Sequence, residues 1–300
     1  MTSVKKSMTK DTNNPYAAAL DGLTIDDPVQ SFFNFCKERE KIRLARESGN
    51  PPPWSDDEIF QKGRFLNVFR EDDRGSRAII RFSKGLEDDL ELLIQSLFFA
   101  RWCNRQETLD KLSPENLSNP NNLVKELAKF KPWANETAYP VESVSWEGKD
   151  YPRLEAATEL FLEIKGVITD SIKKSERNVI VATNSINSLF KMENDFPIFM
   201  AIIDIAWFRP DIISPDSPVP TGIGAVAYLD RLQKYLNLNS HEETCDAMIG
   251  LQEEYWPEAR RPLSPIDIEY LSCECRKYYS YINGTKSFEG KNVFTPKLNS

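Results

Sequence analysis

The sequence predicts an all-α bundle with long loops, and three observations point there. Apolar residues recur at helical spacing through most of the chain, strand-like alternation is confined to Tyr139 to Tyr151, and prolines gather between the periodic stretches. With 300 residues, 40% of them hydrophobic and 11% aromatic, the chain can bury a sizeable core. The expected organisation is a flexible lead-in over residues 1–26, a helical domain over 27–285 and a polar tail over 286–300.

The elements follow in order. Residues 1–26 are polar, and Asp11-Thr12-Asn13-Asn14-Pro15 clusters turn-forming types. Asp27 and Pro28 open a helix over Val29 to Arg46, where Phe32, Phe33, Phe35, Cys36, Ile42 and Leu44 alternate with Lys37, Arg39, Lys41, Arg43 and Arg46. That pattern predicts an exposed basic face. Gly49 to Pro53 ends the helix, and Ser55 or Asp56 is placed to cap a second one carrying the block that follows. Further helices are expected over Leu86 to Asn104, Leu123 to Phe130, Leu154 to Lys174, Ile180 to Phe190, Phe196 to Phe208, Ala225 to Leu236 and Pro265 to Tyr281. Four prolines between Arg209 and Thr221 make that segment a loop.

Composition narrows the function. No apolar run approaches the roughly 18 to 20 residues of a membrane span, and the N-terminus lacks the apolar core of a signal peptide. Five scattered cysteines suit a reducing compartment, so the cytoplasm is expected. A formal charge of -8 argues against coating nucleic acid non-specifically but leaves room for a local basic surface. The sequence contains no GxxxxGK[ST], HExxH, GxSxG or CxxC pattern, which removes P-loop kinases, zincins and α/β-hydrolases. The single histidine, His241, lies at what reads as an exposed helix start. No metal and no cofactor is expected.

Four constellations remain. If residues 62–81 are helical, Arg70, Arg74, Arg77 and Arg81 form one stripe that can track a phosphate backbone, and Asn67 lies a turn ahead of Arg70 and Glu71. The plainer reading is a solvated face of ion pairs worth about 0.3–0.5 kcal/mol each. Arg101, Asn104 and Arg105 close a very apolar helix, where they suit either an anion or base-edge site or the helix dipole. Gly222-Ile223-Gly224 precedes a helix and reads as a backbone-phosphate contact or a tight turn; without a preceding strand it is no dinucleotide fold. Asp267, Glu269 and Glu274 lie on the last helix, where a buried carboxylate can serve as a general base or stabilise a sugar cation, and exposed acids merely favour the helix dipole.

Three of these blocks, in order, resemble one family. Pro53-Trp54-Ser55-Asp56-Asp57 with Arg64-Phe65-Leu66-Asn67-Val68-Phe69-Arg70-Glu71-Asp72-Asp73-Arg74, then Arg101 to Thr108, then Asp267 to Tyr278, are similar to the signature blocks of the α-glutamyl/putrescinyl thymine pyrophosphorylases and the helical domain of 5-hydroxymethyluracil DNA kinases. The bacteriophage replication inhibition DNA glycosylase, which removes a glucosylated hydroxymethylcytosine from phage DNA, resembles the same group. The resemblance implies a helical bundle related to helix-hairpin-helix DNA glycosylases. It further implies an enzyme that flips a hypermodified pyrimidine out of double-stranded DNA and excises it in defence against phage. Asn67, Glu71, Asp267 and Glu269 would then be catalytic, with Arg64, Arg70, Arg74, Arg77, Arg101, Asn104, Arg105 and Lys277 holding the DNA. The alternatives are a transferase replacing the pyrophosphate of activated 5-hydroxymethyluracil with an amine or amino acid, and a non-catalytic DNA-binding module. Absence of a P-loop favours a stand-alone activity. Tyr270 stands where the family has His, Ser272 is inserted before Cys273, and Met192 to Pro197 replaces a Leu-Pro-Gly hairpin.

Overall fold

The computed structural model of the chain describes residues 14–136, 141, 143–290, 293 and 294. It is mostly helical, with one two-stranded antiparallel sheet among the described residues. Two compact units divide it: residues 1–68 with 221–300 form the first, and residues 69–220 the second. No helix among the described residues is long and apolar enough to cross a membrane.

In the first unit, the Pro28–Glu47 helix starts where Asp27 accepts the Gln30 N–H at 2.8 Å and Pro28 supplies a preset φ. It stops at Gly49, whose φ of 76° reverses the chain while the Asn50 N–H returns to the Ala45 carbonyl. The expected basic face is only partly exposed. Arg39 and Arg43 are buried, Arg43 against Glu40 and Glu47, because they continue the apolar stripe of Phe32, Phe35, Cys36 and Ile42. The helices Val226–Leu236, His241–Tyr255 and Pro265–Ile282 complete this unit. Ser240 caps the second of these through the Glu243 N–H, and a Ser264–Asp267 capping box starts the third. The core holds Phe32, Phe33, Phe35, Tyr228, Leu271 and Cys275.

The flexible lead-in expected through residue 26 is tied down over its described part, while residues 1–13 lie outside the described residues. Ala19 and Leu20 are buried, Asn283 donates to the Ala19 carbonyl, and Arg231 donates to the carbonyls of Leu20 and Leu23.

In the second unit, Arg74–Ser83, Leu90–Cys103, Pro120–Leu127, Val179–Phe190 and Phe196–Phe208 are the main helices. Side chains of Asp89, Asn119 and Asn178 cap three of them, and left-handed Asn104 and Lys191 end two. The helix expected over Leu154 to Lys174 is broken: a π turn spans Ala156–Leu160, a short α-helical piece follows at Phe161–Glu163, and a further helix runs over Lys165–Lys173. Thr158 Oγ1 bonds back to the Leu154 carbonyl inside this stretch, as hydroxyls do when they compete with the helical ladder. Strands Ser143–Trp146 and Lys149–Pro152 form a hairpin turning on Glu147 and Gly148, both at positive φ. The first residues of the expected strand region, 139 and 140, lie outside the described residues. Phe98, Trp102, Phe161 and Phe190 form an aromatic cluster with T-shaped and stacked pairs. The proline-rich stretch after Arg209 is a loop, pinned where Ser217 Oγ accepts the Val179 N–H.

Candidate functional site

The first family-like block does not form the single helix that its spacing suggested. Asp57, rather than Ser55 or Asp56, caps a short helix, Glu58–Lys62. Gly63 then brings the chain back so tightly that a Cβ there would lie 2.6 Å from both the Ile59 carbonyl and the Phe65 ring. Arg64 to Asn67 are not helical, Arg70–Asp72 is a 3-10 turn, and a helix begins only at Arg74. The continuous helix on which that spacing rested is not formed, and Arg70 lies outside the helix that carries Arg74, Arg77 and Arg81. Asn67 belongs to the first unit; Arg70 and Glu71 belong to the second.

In the first unit Asn67 meets a different set of groups. Arg39 donates through Nε to the Leu66 carbonyl at 2.9 Å and through Nη2 to Asn67 Oδ1 at 2.9 Å. Tyr270 donates its hydroxyl to the Asn67 carbonyl at 3.1 Å, and the Leu66 N–H donates to Glu274 Oε2 at 3.0 Å. Lys277 pairs with Glu274 and lies 5.1 Å from the Phe65 ring centre. Two blocks some two hundred residues apart thus form one hydrogen-bonded cluster, joined by an arginine from the first helix. Sequence reading missed Arg39 as a member, although its place on the apolar stripe of its helix was a usable signal.

Next to this cluster a cavity of about 320 Å³ is lined by Arg39, Arg46, Trp54, Phe60, Gln61 and Phe65, among others. The tail reaches it as well. Phe294 lines the cavity, its N–H donates to the Lys62 carbonyl at 2.8 Å, and Val293 bridges to Gly63.

The acids of the last helix are held in place. Asp267, fully buried, accepts from the Ser264 N–H and hydroxyl and from Arg261. Glu269 accepts the Gly222 N–H at 2.8 Å. The two glycines of the Gly222-Ile223-Gly224 segment admit this helix: a Cβ on Gly222 would lie 2.9 Å from Glu269 Oε1, and one on Gly224 2.6 Å from Cys273 Sγ. His241 is half-buried rather than exposed, bonded to Thr221 Oγ1 at 3.2 Å and to Asp230 at 2.8 Å. Arg64 is exposed.

The second unit holds the remaining arginines. Arg101 is buried in a two-pronged pair with Asp204, and burial raises the Asp204 carboxyl above its ordinary range against the pull of Arg101. Arg70 is buried beside Asp73. Arg74, Arg77 and Arg81 share the Arg74–Ser83 helix and carry more exposed ends, facing Glu107, Asp72 and Asp110 respectively. Their ion pairing holds Glu107 and Asp110 below the usual carboxylate range, for Glu107 behind a larger backbone hydrogen bond. Arg105 donates to the Pro132 carbonyl, and Asn104 is the left-handed C-cap of its helix. Glu71 is half-buried in the 3-10 turn.

The described residues are mostly helical, and the three blocks follow one another in order along the chain. The model of the family described as "5-hmdU DNA kinase, helical domain" matches residues 27–286, and the chain belongs to that family. No curated protein and no solved structure matches it.

Proposed function

We propose that this chain binds duplex DNA carrying a hypermodified pyrimidine and excises that base in defence against phage. The observation that carries the reading is the direct bonding of the Leu66-Asn67 block to Tyr270 and Glu274, with Arg39 holding the first of these blocks, within a chain of a DNA-modification family. Arg39 donates to the oxygen of the Asn67 amide and so fixes the orientation of that side chain. Glu269 is the carboxylate assigned to the developing sugar cation, with Glu71 a second candidate. Asp267, enclosed by its cap and Arg261, acts by holding the helix that carries Glu269. Arg64, Arg74, Arg77, Arg105 and Lys277 exchange neighbouring acids or solvent for DNA phosphates, while Asn104 shapes the backbone beside Arg105. Arg70 and Arg101 hold the second unit in shape. The helix–turn–helix formed by Val179–Phe190 and Phe196–Phe208 is consistent with a relationship to helix-hairpin-helix glycosylases.

The family description favours a second reading, transfer chemistry at a 5-hydroxymethyl group of DNA, since it names a kinase of that substrate. Nucleoside mass spectrometry separates the two. Duplexes containing 5-hydroxymethyluracil, its pyrophosphorylated form or glucosylated hydroxymethylcytosine are incubated with the protein, with and without ATP and an amine or amino acid as group donors. Free base with abasic sites supports excision; a nucleoside of altered mass without abasic sites replaces it with transfer; tight binding with neither leaves a binding module.

A further inference from the structure

The cavity beside the Asn67 cluster has the makings of a base-stacking site, and the chain's own tail adds an aromatic ring to its wall. The Arg46 guanidinium lies against two aromatic rings, 5.4 Å from the centre of Trp54 and 5.2 Å from that of Phe294. The two rings are 6.1 Å apart and tilted by 56°. Phe60 and Phe65 supply further aromatic lining, 5.3 Å apart. The Gln61 amide nitrogen is tied to the Ser55 carbonyl at 2.8 Å, so its oxygen is the end left to accept a hydrogen from a base edge. A volume of about 320 Å³ is at the small end of the range of roughly 300–1,000 Å³ for small-molecule sites, the size for a single nucleotide rather than a longer ligand.

Phe294 is the one ring of this group that comes from the tail. It is held by one backbone bond to Lys62, next to the isolated Val293–Gly63 bridge. A contact of that kind separates at low cost compared with a packed helix. Arginine planes and indoles are the surfaces on which unstacked bases are bound, and stacking tolerates any base because each has a π-face.

We propose that this cavity binds one unstacked pyrimidine nucleotide whose base packs against Trp54 and Arg46, where the Phe294 ring now lies, so that the nucleotide displaces Phe294. The proposal rests on the base-acting reading above and adds to it a stacking subsite and an internal competitor.

Binding of thymidine 5′-monophosphate to the full chain, measured by calorimetry, tests it, with inorganic phosphate as the control for charge alone. Phe294→Ala is expected to tighten nucleotide binding by about fivefold or more, and adding Trp54→Ala to weaken it again by about tenfold, the scale of a lost stacking partner. Should Trp54→Ala fail to fold, as judged by circular dichroism, Arg46→Gln at an exposed position carries the same expectation. Binding that Phe294→Ala leaves unchanged or weakens, that Trp54 and Arg46 substitutions leave untouched, or that inorganic phosphate reproduces, overturns the proposal. The excision reading fails separately: nucleotide binding that follows the expected pattern, with no free base and no abasic site from any modified duplex, removes the activity and keeps the subsite.

Discussion

Arg39 Nη2 donates to Asn67 Oδ1 at 2.9 Å while its Nε donates to the Leu66 carbonyl, so one buried guanidinium fixes both a backbone turn and the orientation of a side-chain amide. Removing the cation strands acceptors that have lost their water, each costing about 1–3 kcal/mol. Arg39→Met is expected to lower unfolding stability by roughly 2–3 kcal/mol on that basis. Asn67→Ala leaves Arg39 its backbone acceptors and should cost under about 1.5 kcal/mol, the scale of one net hydrogen bond. Urea melts of both variants check this. Equal losses would mean that Arg39 is not the organiser. In the modified-duplex assay Asn67→Ala should reduce turnover at least tenfold.

The Arg101–Asp204 pair is sealed inside the second unit, each side chain 1% exposed. Breaking such a pair leaves a buried charge, and Asp204→Ala is expected to cost about 3–5 kcal/mol. Replacing both partners with Arg101→Met and Asp204→Leu should recover most of that loss, because two desolvated charges disappear together. Denaturant midpoints of the single and double variants distinguish this from a pair that stabilises outright, for which the double variant would be no better than the single.

Alkali should destabilise the protein in two stages. Burial pushes the Cys103 thiol up to about 11 and that of Cys245 up to about 12, and raises Cys36, Cys273 and Cys275 as well. Burial likewise raises the phenols of Tyr228, Tyr278, Tyr279 and Tyr281, with the bond to Asp57 adding to the effect at Tyr278. For a group whose folded value lies above its unfolded one, the contribution to stability is complete below the unfolded value and is lost as pH rises through the folded one. The melting temperature should therefore hold near neutrality, decline from about pH 8.5 as unfolded thiols ionise and fall faster above about pH 10 with the phenols. At pH 7 alkylation of the five free cysteines should be slow in the folded protein and rapid in urea, read by intact mass. A thiol labelled at once in the folded state would contradict this account.

Two glycines should respond with opposite signs. A Cβ on Gly63 would collide with the Ile59 carbonyl, which is backbone and yields little, so Gly63→Ala is expected to cost about 1–3 kcal/mol. Gly250 lies inside the His241–Tyr255 helix with nothing within 4 Å of the added carbon. Gly250→Ala should stabilise by about 0.4–1 kcal/mol through helix propensity and a smaller unfolded ensemble. Thermal melts of the two variants against the parent decide both.

The helices were legible where capping and period agreed. The starts expected at Asp27-Pro28, Ile180 and Pro265 are kept within a residue, and Phe196–Phe208 has the expected bounds. Those signals are local, and a helix end is settled by the few groups around it. The block from Lys62 to Arg81 misled for the same reason: its charges fit helical spacing, but the close approach at Gly63 and the 3-10 turn at Arg70 come from contacts that no window of sequence contains.

What the residues determined by themselves is the helical class, the bounds of five helices to within a residue or so (Pro28–Glu47, Val179–Phe190, Phe196–Phe208, Val226–Leu236 and Pro265–Ile282) and, through three ordered blocks, the DNA-modification family. Only the tertiary structure decided which charges work as surface and which as frame. Arg39, Arg43, Arg70 and Arg101 read as basic surface, yet each is buried against a carboxylate, an amide or a carbonyl that lies elsewhere in the chain or a turn away. A guanidinium has the same intrinsic charge in both settings. Its role follows from the dielectric around it and the acceptors that folding brings within reach, and Asn67 meets Arg39 and Tyr270 for that reason.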